Sequence, residues 1–202
     1  MKSKTFTPTL GKHYKFYSCQ GCGALCCKGS EGTVYSQLLL SDFETVAKYF
    51  PILFSFGDMG FLKANILYSD GHNYCPYIQN FQCVIYDERP SICRVYPLSP
   101  HIDNQIYIDE NCPALNQNFG HEMVKNGVVD ALYDYPTLQN YQDKMIKTHL
   151  HLHQFNDKND FKKVLRVANE DFYQYVGKSE DSYMQLHRDS LQNLQKIGLE
   201  GG

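Results

Sequence analysis

The eight cysteines of this 202-residue chain are the residues whose type and spacing point most directly to chemistry. They fall into two groups of four, the first compact and the second more widely spaced. The compact group is Cys19, Cys22, Cys26 and Cys27, and the spread group is Cys75, Cys83, Cys93 and Cys112. Clustered thiolates oxidise or capture metal ions. We therefore predict that all eight form a metal-binding centre and that this centre is the functional part of the molecule.

The spacing of the compact group is typical of a metal half-site. Cys19 and Cys22 form a Cys-x2-Cys pair, in which a tight turn points both sulfurs at one ion about 2.3 Å away. Cys19, Cys22 and Cys26 also stand at i, i+3 and i+7, which one helix face would align. Gly21 and Gly23 favour a loop instead, because glycine lets the backbone turn freely around a bound centre.

The adjacent pair Cys26-Cys27 raises the question of how many centres there are. Neighbouring side chains diverge in both helix and strand, so two sulfurs from this pair on one ion would be strained. Either each serves a different centre or one is a spare thiol. Eight ligands suit two tetrahedral four-sulfur sites, or one iron–sulfur cluster with a second site. The cofactor predicted is zinc or an iron–sulfur cluster, and the spacing does not choose between them.

Composition and charge limit the classes of partner that we expect this protein to bind. The net charge is −3, the isoelectric point is near 6.2 and the mean hydropathy is −0.45. These values argue against a nucleic-acid or anionic-membrane partner, which needs a basic face. No apolar run approaches the roughly 18 residues of a membrane span, and the N-terminus lacks a secretory apolar segment. We therefore predict a cytoplasmic protein, in which cysteines serve metals rather than structural disulfides.

The chain divides by composition into two regions. Residues 1–115 hold all the cysteines, and residues 116–202 are cysteine-free with helical periodicity. We predict an α+β fold: a small cysteine-cluster metal-binding domain with short strands and helices, followed by a helical C-terminal region packed on it. The helical stretches are expected at about 117–133, 136–155 and 158–197.

Several shorter elements are predicted to position the cysteines. Strands are expected at 33–36, 61–68 and 105–108. Ser41 and Glu44 form a capping-box pattern for a helix that ends before Pro51. Pro90 suits the first turn of a short helix that carries Cys93.

Two sets of basic side chains have both a functional and a structural interpretation. Arg89 and Arg94 either donate hydrogen bonds to thiolates, or Arg89 pairs with the acidic residues beside it and orders a turn. His149, His151 and His153 alternate, but on a helix only the first and last share a face. Surface histidines are the favoured interpretation for that segment over a metal-ligand pair.

The cysteine segment resembles a known family. CQGCGALCC, CPYI at Cys75, CVIYDERP at Cys83, CRVYP at Cys93 and the final Cys112 are similar to the YkgJ-type cysteine-cluster family. Its members are described as zinc- or iron-chelating proteins and are named for a CxxCxxCC motif. The resemblance spans about residues 16–115 and fills each family cysteine position. This chain has three residues before the double cysteine where the family usually has two.

That family is in turn similar to flagellin lysine N-methylases, which carry related cysteines and are thought to use an iron–sulfur cluster. The resemblance implies an alternative function, methyl transfer to protein lysine, with a protein as substrate or partner. The first hypothesis is a metal-binding or redox-responsive protein without its own catalysis. No strand, glycine-rich turn and helix of the kind that cradles a nucleotide-like cofactor is present in the sequence.

Overall fold

The structure is a computed structural model, and it describes residues 4–20, 22–57 and 59–199. Strands and helices are both present, so the predicted α+β class is confirmed. The strands are β1 Phe6–Pro8, β2 Tyr14–Phe16, β3 Tyr35–Gln37, β4 Ile52–Phe56, β5 Leu62–Leu67, β6 Ile78–Gln79, β7 Gln82–Cys83, β8 Leu98–Pro100, β9 Ile106–Asp109, β10 His121–Lys125, β11 Val128–Val129, β12 Phe161–Val167 and β13 Glu170–Tyr175. The α-helices are α1 Phe43–Tyr49, α2 Ser91–Val95, α3 Tyr141–Leu152 and α4 Ser182–Ser190.

The chain forms two compact units, and each is built from two segments. The first unit comprises Met1–Cys26 and Tyr77–Asp143, and the second comprises Cys27–Pro76 and Lys144–Gly202. The boundary therefore falls between the two adjacent cysteines. The division predicted from composition, into 1–115 and 116–202, stays a prediction.

Short antiparallel strands make up the first unit. One sheet has the order β1-β9-β8 and a second has the order β11-β10-β2, while β6 and β7 form a separate hairpin. Their inward side chains share one core, which includes Val95, Leu98, Ile108, Met123 and Val124. Cys112 belongs to this core, and Cys19 and Cys22 pack against it. The unit thus places three thiols beside apolar side chains.

A five-stranded antiparallel sheet forms the centre of the second unit. Its order is β12-β13-β4-β5-β3, and α1 and α4 contact each other and pack on β4. The sequence of β4, ILFSF, has apolar residues at four of five positions, and its first four residues are buried. Such a run is typical of a strand covered on both faces. Phe54 and Phe172 are completely buried in this unit.

The predicted helical stretches of the C-terminal region are partly wrong. Helices α3 and α4 confirm that this region contains helices, and α3 lies inside the stretch predicted at 136–155. The stretch predicted at 117–133 instead contains β10 and β11, and the one at 158–197 contains β12 and β13 before α4. Turn residues explain the difference. Asn126 and Gly127 join one hairpin, Ala168 and Asn169 join the other, and all four have positive φ.

Most of the secondary-structure elements predicted around the cysteines are confirmed. The strands expected at 33–36, 61–68 and 105–108 correspond to β3, β5 and β9, and the short helix after Pro90 is α2. The capping box at Ser41 is wrong. Helix α1 begins at Phe43 after a 3-10 turn, its N-cap is Asp42, and no side chain caps it.

The described part of the chain includes no helix with the length and apolar character needed to cross a bilayer.

Candidate metal centre

The compact cysteine group lies on a loop followed by a 3-10 turn. The N–H of Cys22 donates to the carbonyl of Cys19 at 3.5 Å, which closes a turn around the Cys-x2-Cys pair. The backbone then passes through positive φ at Gly23 (81°) and Ala24 (52°). A 3-10 turn, Leu25–Cys27, carries the adjacent pair. The loop expected from the glycines is confirmed at Gly23, whereas Gly21 lies outside the described residues.

Cys112 is held by a second turn, directly after β9. Its N–H donates to the carbonyl of Asp109 at 3.1 Å, and its own carbonyl accepts the N–H of Leu115 at 3.1 Å. Pro113 stands at the second position of that turn, where its fixed φ is favoured. The side chain of Cys112 is buried. Two tight turns therefore present cysteines within the same compact unit.

Four thiols of the first unit interact with one another. Cys112 interacts electrostatically with Cys26, Cys19 and Cys22, and Cys19 does so with Cys26 and Cys22. Cys26 also interacts with Cys22 and with a fifth thiol, Cys83 on β7. We call Cys19, Cys22, Cys26 and Cys112 the four-thiol group. Cys26 is the member whose charge acts on every other member and on Cys83.

Burial controls the protonation of these thiols. Desolvation raises the pKa of Cys19 to about 11 and that of Cys112 to about 12, and the neighbouring thiolates add to the increase. Burial also raises the pKa of Cys22 and of Cys83. Several thiolates in a desolvated pocket would repel each other. A bound cation of high charge would compensate for the negative charge of the four-thiol group.

At three of the sulfurs, hydrogen bonds from backbone N–H groups counteract the increase in thiol pKa that desolvation causes. The N–H of Ala24 donates to Cys22, that of Ile85 donates to Cys83, and that of Ala114 donates to Cys112. Each donor is two residues after its cysteine, and each such bond lowers the pKa of the thiol. Hydrogen bonds to the charged form stabilise a thiolate. Fixed donors aimed at sulfur are therefore a feature that suits metal-bound cysteines.

Arg89 supplies a further hydrogen bond to the four-thiol group. Its guanidinium donates to Cys19 and lowers the pKa of that thiol, against the larger effect of desolvation. The same guanidinium stacks on the ring of Tyr86 at 3.6 Å, and its Nε donates to the carbonyl of Tyr86 at 2.7 Å. Of the two roles considered for Arg89, these contacts favour the thiolate donor.

Arg94 holds the turn from which Arg89 projects. Its Nε donates to the carbonyl of Arg89 at 2.9 Å, and its Nη2 donates to the carbonyl of Asp87 at 2.7 Å. Both bonds satisfy carbonyls between β7 and α2, so Arg94 orders the backbone of this turn. Cys93, its neighbour on α2, is half-buried.

Two buried polar atoms beside the cysteines have no hydrogen-bond partner among the described residues. One is Oε1 of Gln20, inside the Cys-x2-Cys pair, and the other is Oγ of Ser91, two residues before Cys93. A buried polar atom without a partner is costly and calls for an explanation. Neither residue stands out in the sequence as part of the site, although Gln20 lies between two cysteines, which is a signal for it.

The thiols do not lie in ligand geometry. Within residues 4–20, 22–57 and 59–199, no three histidine, cysteine, aspartate or glutamate side chains converge closely enough to hold an ion. The donor set fits zinc or an iron–sulfur cluster, both of which take four sulfurs.

The other adjacent cysteine, Cys27, has a different neighbour. Its carbonyl accepts the N–H of Cys75 at 2.8 Å, and the next residues, Lys28 and Tyr74, form an antiparallel bridge. Cys27 and Cys75 are therefore cross-strand partners, and we call them the cross-strand pair. Cys75 is buried and Cys27 is half-buried.

The histidines of the 149–153 segment lie on α3 and just after it. Nε2 of His149 is 2.9 Å from the side-chain nitrogen of Gln37, and burial lowers the pKa of His149. Nε2 of His151 is 3.1 Å from a carboxylate oxygen of Asp181. Both histidines therefore contact protein side chains, and the interpretation of this segment as surface histidines stays a prediction.

A comparison with protein families matches residues 18–113 to a family named CxxCxxCC and described as a "putative zinc- or iron-chelating domain". The matched residues include all eight cysteines. These 96 of the 202 residues are similar to the CxxCxxCC family. The resemblance noted in the sequence is thereby confirmed, and the description of the family supports a metal-binding role. No curated protein and no solved structure gives a significant match.

Proposed function

We propose that this protein holds zinc or an iron–sulfur cluster through the four-thiol group, Cys19, Cys22, Cys26 and Cys112. One observation carries the proposal: these four sulfurs, one buried and three half-buried, interact electrostatically with one another within one compact unit. Four sulfurs are the number that a tetrahedral zinc site or a cubane cluster takes. Zinc would supply a local structural crosslink, and a cluster would supply a one-electron redox centre.

The surroundings of the group support thiolate ligation. Two members accept backbone N–H groups, and Arg89 donates to a third. Hydrogen bonds to ligand sulfurs orient the ligands and, for a cluster, help to set the reduction potential. Cys83 interacts with Cys26 from outside the group.

The test is metal analysis of protein purified without oxygen, for the wild type, Cys26→Ser and the matched neighbour Cys27→Ser. Iron and sulfide in equal amounts, with absorption near 400 nm, would identify a cluster. Zinc in colourless protein would identify a zinc site. We expect Cys26→Ser to retain less than about a tenth of the metal, by analogy with other lost contacts at metal sites. Full metal content in Cys26→Ser, or a metal-free wild type, would contradict the proposal.

Redox responsiveness rests on the cluster outcome of that experiment. Protein-lysine methyl transfer, and with it a protein substrate, stays a prediction of the resemblance alone. Saturable binding of S-adenosylmethionine, measured by calorimetry, is the observation that would support it.

A further inference from the structure

Tyr96 and Asp109 connect two elements of the first unit beside the four-thiol group. Tyr96 directly follows α2, and Asp109 is the last residue of β9. The Tyr96 hydroxyl donates to Oδ2 of Asp109 at 2.8 Å, and the N–H of Asp109 donates to the carbonyl of Pro97 at 3.0 Å. One side-chain bond and one backbone bond therefore hold the end of α2 against the end of β9.

The carboxylate of Asp109 is buried, since only 2% of this residue is exposed. A buried carboxylate is costly unless hydrogen bonds satisfy its oxygens. Oδ2 accepts the bond from Tyr96, and Oδ1 accepts the N–H of Asn111 at 3.1 Å. Loss of the Tyr96 hydroxyl would therefore remove a hydrogen bond from a buried oxygen, which is the expensive way to lose one.

The same aspartate begins the turn that presents Cys112. Its carbonyl accepts the N–H of Cys112 at 3.1 Å, and its side chain accepts the N–H of Asn111 inside that turn. Asp109 thus fixes the turn at two backbone N–H groups, while Tyr96 fixes the carboxylate of Asp109 from outside the turn. The position of Cys112 therefore depends on a side chain that follows α2.

The Tyr96 hydroxyl also lies within electrostatic reach of the thiols. Burial raises the pKa of Tyr96, and the thiols of Cys112 and Cys26 add to the increase. The hydroxyl consequently keeps its proton and stays a donor to Asp109. The ring of Tyr96 packs against the core to which Cys112 belongs. A tyrosine, a buried carboxylate and a candidate ligand thus form one connected group.

We propose that Tyr96 is the positioning residue for Cys112. By donating to Asp109, it holds the turn that presents the Cys112 sulfur to the metal. Outer partners of this kind orient the ligands of metal sites. The inference rests on the proposed function, because it takes Cys112 as a ligand, and it adds a residue that acts on the site through Asp109.

The experiment compares Tyr96→Phe with Tyr68→Phe in protein purified without oxygen. Tyr68 is the matched control, because its hydroxyl lies 2.8 Å from Oγ of Ser36 within the other unit. We expect Tyr96→Phe to weaken metal affinity by about 10–100-fold in competition with a chromophoric chelator. Tyr68→Phe should bind metal like the wild type. An equal loss of affinity in both variants would indicate general destabilisation and would overturn the proposal.

Alkylation of the metal-loaded protein identifies the ligand that Tyr96 controls. Iodoacetamide modifies free thiols more readily than metal-bound ones, and mass spectrometry locates the modified cysteines. In Tyr96→Phe we expect Cys112 to be modified faster than in the wild type, while Cys19 and Cys22 stay protected. Equal modification of all three cysteines would contradict a specific effect on Cys112.

Asp109 allows the same bond to be tested from its other end, which keeps the test decisive if Tyr96→Phe does not fold. Asp109→Asn keeps an oxygen that can accept from Tyr96, so it should bind metal more tightly than Asp109→Ala. Equal affinities for these two variants would overturn the role of the hydrogen bond. A metal-free wild type would overturn the proposed function together with this inference. A metal-loaded wild type whose affinity Tyr96→Phe leaves unchanged would overturn this inference alone.

Discussion

His187 and Ile52 are joined by a buried hydrogen bond across the second unit. Nδ1 of His187 lies 2.7 Å from the carbonyl oxygen of Ile52, and Nε2 lies 3.0 Å from the backbone nitrogen of Tyr175. A carbonyl can only accept and an N–H can only donate, so the ring is the neutral tautomer with its proton on Nδ1. This histidine thereby connects α4 to two neighbouring strands of the sheet, β4 and β13.

The buried ring predicts acid-sensitive stability. Burial lowers the pKa of His187 from 6.5 to about 4. The unfolded state therefore gains a proton as the pH falls below 6.5, while the folded state does not until about pH 4. Stability is unaffected above pH 7 and is lost on acidification through this window, by about 2–3 kcal/mol at pH 4.5.

Urea unfolding between pH 7.5 and 4.5 measures this loss, and His187→Gln is the matched variant because glutamine donates and accepts without titrating. We expect His187→Gln to be less stable at pH 7.5 but to have a shallower pH dependence than the wild type. Parallel pH profiles for the two proteins would show that His187 does not titrate as the structure indicates.

Arg89 is expected to strengthen metal binding through its hydrogen bond to Cys19. Arg89→Gln removes the charge and replaces the guanidinium with a shorter amide, and partners of this kind typically contribute about 10–100-fold in metal affinity. Competition with a chromophoric chelator measures the change. Arg166→Gln, which removes an exposed arginine from the other unit, is the control and should bind like the wild type. Equal metal affinities for Arg89→Gln and Arg166→Gln would show that Arg89 does not contribute to metal binding.

Gly29→Ala is predicted to destabilise the protein by about 1–3 kcal/mol, because the new methyl group meets backbone and cannot be accommodated without a shift. Gly57→Ala is the comparison. Its Cβ would come 2.9 Å from Cε of Lys63, the end of a flexible side chain that can move aside. Thermal or urea unfolding of both variants tests the contrast, and an equal loss of stability would argue against a locked ladder at Gly29.

Asp181 is predicted to stabilise α4 as its N-cap. The carboxylate accepts the N–H groups of Tyr183 and Met184, at 3.0 and 3.1 Å. Asp181→Ala should cost about 1 kcal/mol of unfolding free energy. Asp181→Asn keeps an acceptor but loses the charge near His151, so it should stay close to the wild type. If asparagine proved as damaging as alanine, the charge rather than the cap would be the important contribution.

The sequence allowed prediction of the elements whose signals are local. Prolines and alternating apolar residues located α2, β5 and β9 correctly. Apolar residues recur at three- and four-residue steps at Phe161, Leu165, Ala168, Phe172 and Tyr175, a spacing that predicts a helix. This segment forms a hairpin because Ala168 and Asn169 adopt positive φ, and Asn126-Gly127 carries the same kind of turn signal earlier in the chain.

The candidate site was predictable in its donor type but not in its grouping. The spacing of the cysteines does not distinguish the role of Cys26 from that of Cys27, because a sequence does not show which residues two consecutive side chains contact. Their different neighbours depend on contacts with Cys112 and Cys75, residues far along the chain. The unpaired atoms of Gln20 and Ser91 could not be predicted either, because only the folded chain shows that they are buried.

The pairing of β4 with β13 has a consequence for how the chain is made. Tyr173 of β13 pairs with Phe54 of β4. During synthesis, β4 therefore has no partner on that edge until more than a hundred further residues have been made. Until then one edge of β4, an apolar strand, has unpaired N–H and C=O groups and invites pairing with another chain. The CxxCxxCC segment produced alone, ending at residue 113, would keep that bare edge permanently. Its inclusion in aggregates would then reflect a missing strand, and not a missing metal.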